Sequence, residues 1–259
     1  MLLNAHPTIN CRSEQHFYTL LEELKKLSKG YGIGLQSFDQ RTANQGVHFD
    51  EAAFTQNVFC AMVLELMKFG TDEATTHAGL NDNSLIENAD LFAEILPDTK
   101  FVFIIRDPRD VGISLWHHRL RNEPEFARQK PAVGPTVKGI VNAWNEHVVA
   151  IEDFQTRFPD RVTLIRYEDL IAAERDSALS RTLNFLNVTF DDEILAGMWA
   201  VTSFVKLQER EQNSGAPDNG FYRSGNRKTW RDQLDEETRK YAVTIGGEAL
   251  LKFGYTLEG

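Results

Sequence analysis

The amino-acid sequence predicts an α/β fold in which a parallel β-sheet is flanked by helices. Two short apolar segments, residues 100–105 and 161–166, are rich in β-branched and aromatic side chains and do not alternate with polar residues. Such runs are typical of strands that are buried on both faces of a parallel sheet. The segments between them repeat apolar residues at three- and four-residue steps, which predicts helices that cover the sheet.

The composition is that of a globular protein with a sizeable core, and we expect a single domain over residues 1–259. The chain has 28 basic and 38 acidic residues, which gives a net charge of −10. An acidic chain is a poor general binder of nucleic acid, because that binding depends on cations that neutralise phosphates. An anionic ligand must therefore be held by a local cluster of arginines.

Localisation signals are few. No apolar run approaches the roughly 20 residues that a membrane span needs, and no signal peptide is recognisable at the N-terminus. The two cysteines, Cys11 and Cys60, have no metal-ligand spacing and are expected to be reduced. We therefore expect a cytoplasmic protein.

The first predicted helix covers residues 13–29, with Ser13 as its N-cap and a leucine-rich apolar face. Residues 30–50 are rich in Gly and Gln and are expected to be irregular. Within them, the glycines at 30, 32 and 34 are interpreted as a helix stop and turn.

Two further helices are predicted before the first apolar strand. Residues 51–69 are strongly apolar, so this helix should be largely buried. Residues 84–96 form the next helix, and Ser84 with Glu87 three residues later has the spacing of a capping box.

The strand at residues 100–105 runs directly into a short helix, 111–118, and Pro108 suits the first turn of that helix. The later elements follow in order: helix 136–158, strand 161–166, helices 175–186 and 191–200, a long polar loop at 209–228, and helix 235–253.

Arg106 and Tyr167 each stand where a predicted strand ends. Ligands of parallel α/β sheets bind outside the carboxyl ends of the strands. A helix N-terminus favours an anion, and Arg106 adds a planar fork of donors there. An alternative is that Arg106, Asp107, Arg109 and Asp110 simply pair with one another at the surface.

Residues 105–114, IRDPRDVGIS, resemble the 3′-phosphate-binding motif of the sulfotransferases that use 3′-phosphoadenosine-5′-phosphosulfate. In that family the Arg and the Ser eight residues later hold the 3′-phosphate, which implies this role for Arg106 and Ser114. Trp116, just after the motif, also fits the resemblance. The implied fold is the family's P-loop NTPase-like α/β fold.

Two further segments match the family in the same order. Residues 166–170, RYEDL, are similar to a segment whose Tyr contacts the adenine, which implies this role for Tyr167. Residues 221–230, FYRSGNRKTW, resemble a loop that holds the 3′-phosphate from the other side. Arg223 and Gly225 match that loop, whereas Ser224 replaces the usual Lys and carries over only a backbone role. The alternative for Tyr167 is an ordinary core tyrosine, and the alternative for residues 221–230 is a solvated loop without a ligand.

The chain departs from the family at its N-terminus. Neither the family's Pro-Arg-Ser-Gly-Thr-Thr loop, which grips the 5′-phosphosulfate, nor a G-x-x-x-x-G-K-[ST] sequence is present. Residues 1–9 instead resemble the segment that follows this loop in bacterial-type members. We therefore expect a sulfotransferase domain whose first strand and loop are missing, through N-terminal truncation of the sequence or through degeneration of the protein. Without that loop nothing stabilises the charge that develops on the leaving oxygen of the donor, so we expect the chain as given to be weakly active or inactive.

The catalytic base is expected between the first loop and the phosphate motif, where many members of the family use a His. His77 is our candidate, and Asp72 and Glu73 are alternates. His117 and His118 are interpreted as helix-end or acceptor-pocket residues. No set of residues has metal-ligand spacing, and the family needs no metal.

The resemblance implies transfer of a sulfuryl group from 3′-phosphoadenosine-5′-phosphosulfate to a hydroxyl or amine of a small-molecule or glycan acceptor. The alternative is a non-catalytic relative that binds nucleotide through the 3′-phosphate half-site alone. A nucleotide kinase is disfavoured by the lack of a Walker sequence. The acceptor segments are expected at residues 30–50 and 120–135.

Overall fold

Four β-strands occur in the part of the chain that the computed structural model describes, which is residues 2–13, 16–42, 49–202 and 229–258. They pair in parallel two by two, β1 (Ile9–Ser13) with β2 (His77–Asn81) and β3 (Phe101–Ile105) with β4 (Val162–Arg166). The chain divides into two compact units, Met1–Thr99 and Lys100–Gly259, and each unit holds one strand pair. Parallel strands joined through helices are those of the predicted α/β class.

The first unit packs its helices around aromatic side chains. The ring of Phe92 lies 6.2 Å from that of Phe17 and 5.7 Å from that of Phe59, both edge-on. The elements of this unit, besides its strands, are 3-10 helices at Leu3–Ala5 and Asn83–Asn88 and the helices α1 (Phe17–Arg41), α2 (Glu51–Lys68) and α3 (Ala89–Ile95).

Strand β1 was not predicted, and Ser13 is not the N-cap of the first helix. Ser13 pairs with Asn81 at the end of the parallel ladder, and α1 begins four residues later at Phe17. The backbone N–H of Phe17 donates to the side chain of Asp82, 3.0 Å away. The pairing of residues 9–13 with β2 therefore overrides the local capping signal of Ser13.

The glycines at 30, 32 and 34 do not stop the helix, since α1 continues through them to Arg41. Gly32 is buried, and a Cβ added there would lie 3.3 Å from the ring of Phe49. The buried Ser28 hydroxyl also accepts a bond of 2.8 Å from Thr55 on α2. Tertiary packing thus outweighs the helix-breaking tendency of glycine, which is about 1 kcal/mol per residue.

Two other predictions for this unit are wrong in detail. Helix α2 is only partly buried: Phe59 and Val63 are its buried residues, whereas Phe54 and Leu64 are exposed, because only one side of α2 packs against α1 and α3. The predicted helix at 84–96 begins as the 3-10 segment Asn83–Asn88, and the N-cap position of α3 is Asn88 rather than residue 84.

The second unit is built on strands β3 and β4 and on helices that cover them. Pro108 occupies the first turn of α4, as predicted. The helices are α4 (Pro108–Asn122), α5 (Pro124–Arg128), α6 (Val133–Arg157), α7 (Tyr167–Leu170), α8 (Arg175–Leu186), α9 (Asp192–Thr202), α10 (Thr229–Gln233) and α11 (Glu236–Lys252), with a 3-10 turn at Pro159–Arg161.

Helix α4 packs closely on α6, and α6 packs on α11. Gly112 permits the first contact, because a Cβ at this position would lie 2.7 Å from the Cα of Val137. The cluster between these helices consists of the buried side chains of Ile113, Val137, Val141, Trp230, Leu234 and Ala242.

Strand β3 is less buried than predicted. Ile105 is buried against Leu250 and Tyr255, but Ile104 is 60% exposed within the described structure. The prediction of burial on both faces is therefore wrong for Ile104, whose side chain points away from the helices that cover Ile105.

Candidate functional site

The ends of β3 and β4 lie side by side, because Ile105 pairs with Arg166 in the parallel register. Arg106 and Tyr167, the next residue of each strand, are consequently neighbours. The guanidinium carbon of Arg106 lies 4.6 Å from the centre of the Tyr167 ring. Two residues that the sequence predicted for one site are thus in contact, in the arrangement of a cation over an aromatic face.

Helix α4 begins immediately beyond Arg106. Asp107 is its N-cap, and the Asp107 carboxylate accepts the backbone N–H of Arg109 at 3.0 Å. The helix extends for 15 residues, so its first turn presents the partial positive charge and the N–H groups that favour an anion. Arg106 lies over the Tyr167 ring and forms no ion pair with a carboxylate of the described residues.

Arg109, the second arginine of the segment, is in a different position. Its Nε and Nη2 atoms donate to the two carboxylate oxygens of Asp107, at 2.9 and 2.6 Å. Both side chains are buried, and the guanidinium lies 3.7 Å from the centre of the Trp230 ring. The expected alternative of pairing within residues 106–110 is therefore realised for Asp107 and Arg109, but in the interior rather than on the surface.

Ser114 is exposed on the second turn of α4. Its position eight residues after Arg106 is the one the motif requires, and the side chains of these two described residues are not hydrogen-bonded to each other. Arg223, Ser224 and Gly225 lie outside the described residues. Trp230, at the end of the same sequence motif, is buried and rests on Arg109, which ties the end of that motif to the start of α4.

A residue that sequence reasoning missed is Glu168, which follows Tyr167. Its Oε1 atom accepts the backbone N–H of Asp107 at 3.1 Å, and its Oε2 atom accepts the hydroxyl of Tyr255 at 3.0 Å. Arg166 stacks over the Tyr255 ring, 4.8 Å from its centre. The adjacency of Glu168 to Tyr167 was the signal available in the sequence, but nothing there pointed to Tyr255.

Burial raises the pKa of Tyr255, and the negative charge of Glu168 and the hydrogen bond to it raise that pKa further. The Tyr255 hydroxyl is therefore a proton donor to Glu168 throughout the physiological pH range.

The candidate base, His77, belongs to the first unit, where it begins strand β2 rather than lying in a loop. Its backbone N–H donates to the carbonyl of Thr8, and its Nδ1 atom lies 2.8 Å from the Thr76 hydroxyl. Pairing with β1, which the sequence did not predict, is the reason for the difference. Of the alternates, Asp72 caps a turn through Ala74 and Thr75, and Glu73 is exposed.

His117 and His118 lie within α4, which continues to Asn122, and not at its end as predicted. The Nε2 atom of His117 is 3.3 Å from the side-chain oxygen of Gln233 on α10. The Nδ1 atom of His118 is 3.2 Å from the side-chain nitrogen of Asn122. Both imidazoles thus have structural partners on or near α4.

Two absences hold for the described part of the chain. No three His, Cys, Asp or Glu side chains there are grouped as metal ligands would be. None of its helices combines the length and the apolarity needed to cross a membrane.

Cys11 and Cys60 are both free thiols.

Comparison with known proteins identifies the fold and the family. Residues 1–192 match the sequence model Sulfotransfer_3, which describes the sulfotransferase family. The chain belongs to the sulfotransferase family. The resemblance drawn from the three motifs is thereby confirmed.

The chain is similar to two plant proteins. It is 29% identical over 149 residues to "Cytosolic sulfotransferase 12" of Arabidopsis thaliana, a match that covers 53% of this chain and 45% of that protein. It is 26% identical over 185 residues to "Cytosolic sulfotransferase 16" of the same organism, covering 61% and 54%. The chain therefore spans about half the length of the curated relatives it matches.

Solved structures show the sulfotransferase fold. Mouse sulfotransferase SULT7A1, "complexed with PAP", superimposes with a TM-score of 0.56 at 16% identity, over 72% of this chain and 68% of that one. The sulfotransferase domain of the curacin biosynthetic pathway gives 0.53 at 16% identity, over 99% and 92%. The sulfotransferase domain of the Synechococcus PCC 7002 olefin synthase gives 0.51 at 19%, over 95% and 88%.

Proposed function

We propose that this protein transfers a sulfuryl group from 3′-phosphoadenosine-5′-phosphosulfate to a hydroxyl or amine of a small-molecule or glycan acceptor. The observation that carries the proposal is the contact of Arg106 with Tyr167 at the start of α4. This arrangement combines a cation and a helix N-terminus for a phosphate with an aromatic ring for a base. Membership of the sulfotransferase family supports the same donor.

In this proposal Arg106 and Ser114 bind the 3′-phosphate from the α4 side. Arg223, the backbone of Ser224 and Gly225 bind it from the other side, and Tyr167 contacts the adenine. The residues around the start of α4 fit an anion, since the helix provides N–H groups and Arg106 a donor fork. The Arg109 charge is already matched by Asp107, so Arg109 is a structural residue and not a phosphate ligand.

The donor, when bound, supplies a sulfuryl group whose bond to the 5′-phosphate oxygen breaks as the acceptor oxygen or nitrogen takes the sulfur. The acceptor must lose a proton in this step, and we assign its removal to His77. Asp72 and Glu73 are the alternate bases. Because such transfers depend mostly on positioning and charge stabilisation, no metal is required of this site.

Isothermal titration with 3′-phosphoadenosine-5′-phosphate and with adenosine 5′-monophosphate tests the donor site. We expect the bisphosphate to bind more tightly, and Arg106→Ala to weaken its binding roughly 10- to 100-fold, as for loss of charge-assisted hydrogen bonds. Arg119→Ala is the matched control, since Arg119 lies on α4, the helix that Arg106 precedes, but pairs with Glu123. Equal affinity for the two nucleotides would overturn the proposal.

Turnover distinguishes an enzyme from a nucleotide-binding relative. With the family's phosphosulfate-binding loop restored upstream of residue 1, mass spectrometry should detect sulfated product after incubation with the donor and a panel of phenols, alcohols, amines and glycans. We expect His77→Ala to lower kcat at least tenfold, within the usual range for a general base, with no change in nucleotide affinity. A chain that binds the bisphosphate but sulfates nothing supports the binding relative. If Asp72→Asn or Glu73→Gln abolishes turnover instead, the base is that carboxylate.

A cytoplasmic location and the lack of a nucleic-acid partner are also proposed. The names of the two plant relatives, "cytosolic", support the first, and the net charge of −10 supports the second.

A further inference from the structure

We propose that Glu168 and Tyr255 are positioning residues for the 3′-phosphate contact, and that they act by fixing the backbone from which Arg106 extends. This inference rests on the proposed donor site. Tyr255 lies outside the three sequence motifs, and Glu168 has no ligand-binding role assigned to it.

Glu168 holds the peptide unit that links Arg106 to Asp107. The N–H of that unit, carried by Asp107, donates to the Oε1 atom of Glu168 across 3.1 Å. Because this peptide plane is rigid, its direction determines where the Arg106 side chain begins. Glu168 also immediately follows Tyr167, so one carboxylate restrains both strand ends that form the proposed site.

Tyr255 holds the other oxygen of the same carboxylate. Its hydroxyl donates to Oε2 at 3.0 Å, and its ring is buried in a cluster with Ile105 and Leu250. The Trp144 ring lies 6.3 Å away and the Arg166 guanidinium covers one face at 4.8 Å. A ring packed on these sides has a fixed hydroxyl direction, so it can select one rotamer of Glu168.

The turn at Gly254 places Tyr255 beside Glu168. Gly254 has a φ of +74°, in the left-handed region that glycine adopts without strain. A Cβ at this residue would lie 2.9 Å from the Nη1 atom of Arg166. The absence of a side chain therefore allows Arg166 and Tyr255 to stack beside Glu168.

The segment that carries Tyr255 is held at a second point. Arg231 on α10 donates through Nη2 to the Thr256 hydroxyl at 2.7 Å and to the Glu258 carbonyl at 3.3 Å. Helix α10 is the first described element after the segment that contains Arg223 and Gly225. Residues 254–258 thus contact both a strand end of the proposed site and the helix that follows its second phosphate-binding loop.

The test compares Tyr255→Phe with Tyr241→Phe. Each substitution removes one hydroxyl that donates across 3.0 Å, to Glu168 in the first case and to Asn142 in the second. Titration calorimetry gives the affinities of the full chain for 3′-phosphoadenosine-5′-phosphate and for adenosine 5′-monophosphate. The ratio of the two affinities reports on the 3′-phosphate contact alone.

We expect Tyr255→Phe to weaken binding of the bisphosphate about three- to tenfold, the usual effect of one hydrogen bond, and to leave the monophosphate within twofold. Tyr241→Phe should change neither. Glu168→Gln keeps an acceptor oxygen and should lose less selectivity than Glu168→Ala, which removes both acceptors.

Equal weakening of both nucleotides in Tyr255→Phe would overturn the inference, because a merely structural residue acts on the whole protein. So would a Glu168→Ala protein that is folded by circular dichroism and keeps the wild-type ratio. Both outcomes leave the proposed function standing. If the wild-type chain itself does not prefer the bisphosphate, the proposed function and this inference fail together.

Discussion

Two arginines three residues apart in one motif have opposite environments. Arg106 lies over the Tyr167 ring at a strand end, whereas Arg109 is 1% exposed and forms a two-point ion pair with Asp107. A charge buried in this way is tolerated because its partner and its hydrogen bonds are in place. Arg106 is thus available for a ligand, and Arg109 serves to shape the start of α4.

Arg109→Lys should destabilise the protein by about 3 kcal/mol, because an ammonium cannot reproduce the fork that matches the Asp107 carboxylate, and the pair is buried. The measurement is urea-induced unfolding followed by circular dichroism. Arg119→Lys is the control, since Arg119 also forms a two-point pair, with Glu123, and stacks on Phe126, but in an exposed position. A similar loss in both variants would contradict this account of Arg109.

The sequence predicted that Arg106 and Tyr167 belong to one site, because each follows a strand whose carboxyl end lies at the ligand-binding edge of a parallel sheet. That the two strands are neighbours is a finding of the structure. The sequence could not predict the Tyr255 bond to Glu168, because the two residues are 87 positions apart and the bond depends on a left-handed turn. Local patterns carry no information about such a contact. The ion pair of Asp107 was weighed from the sequence, but its burial depends on Trp230, 121 positions beyond Arg109.

At the scale of elements, the long helices α6, α8 and α11 of the second unit were predicted well, whereas α4 is longer than predicted and α5, α7 and α10 were not predicted. Helix α8 has the predicted bounds, and α6 and α11 differ from theirs by at most three residues. Apolar residues that recur at three- and four-residue steps predicted α6. In the first unit, α1 passes through glycines that a local rule treats as a stop, since packing against Phe49 favours a residue without a side chain.

The contact of α4 with α6 depends on Gly112. Gly112→Ala would place a Cβ 2.7 Å from the backbone of Val137, which must move, so we expect a loss of roughly 1 to 3 kcal/mol of unfolding free energy. Thermal and urea unfolding measure this change.

Gly139→Ala provides the opposite result within the same helix pair. Gly139 is an exposed residue of α6 with nothing within 4 Å of an added Cβ. Alanine there should stabilise the protein by about 0.5 to 1 kcal/mol, because it restricts the unfolded chain and favours the helix. If Gly112→Ala were equally stabilising, close packing of α4 on α6 would be refuted.

For the molecule as a whole, the raised pKa of Tyr255 links stability to alkaline pH. The folded state keeps the Tyr255 proton, while the unfolded chain releases it near pH 10. Stability from this group is therefore complete below about pH 10 and is lost as the pH rises above that value. The same contact that positions Glu168 should thus weaken the fold in strong base.

Tyr255→Phe isolates this effect, since phenylalanine has no proton to release. We expect the melting temperature of the wild type to exceed that of the variant at pH 8, and the difference to shrink between pH 10 and pH 11. Thermal unfolding of both proteins across this range is the measurement. A difference that stays constant or widens in base would contradict the assigned direction.

The Glu168 carboxylate accepts hydrogen bonds from two residues that are far from it in sequence. Asp107 lies 61 positions before Glu168, and Tyr255 lies 87 positions after it. We expect these particular contacts to form late in folding, because the loop-closure entropy of the intervening chain must be paid before they contribute. Loss of the Tyr255 hydroxyl should accordingly speed unfolding and leave the refolding rate nearly unchanged. The strand ends proposed to bind the donor would then form last during folding. The lifetime of this site would depend on the unfolding rate of the protein.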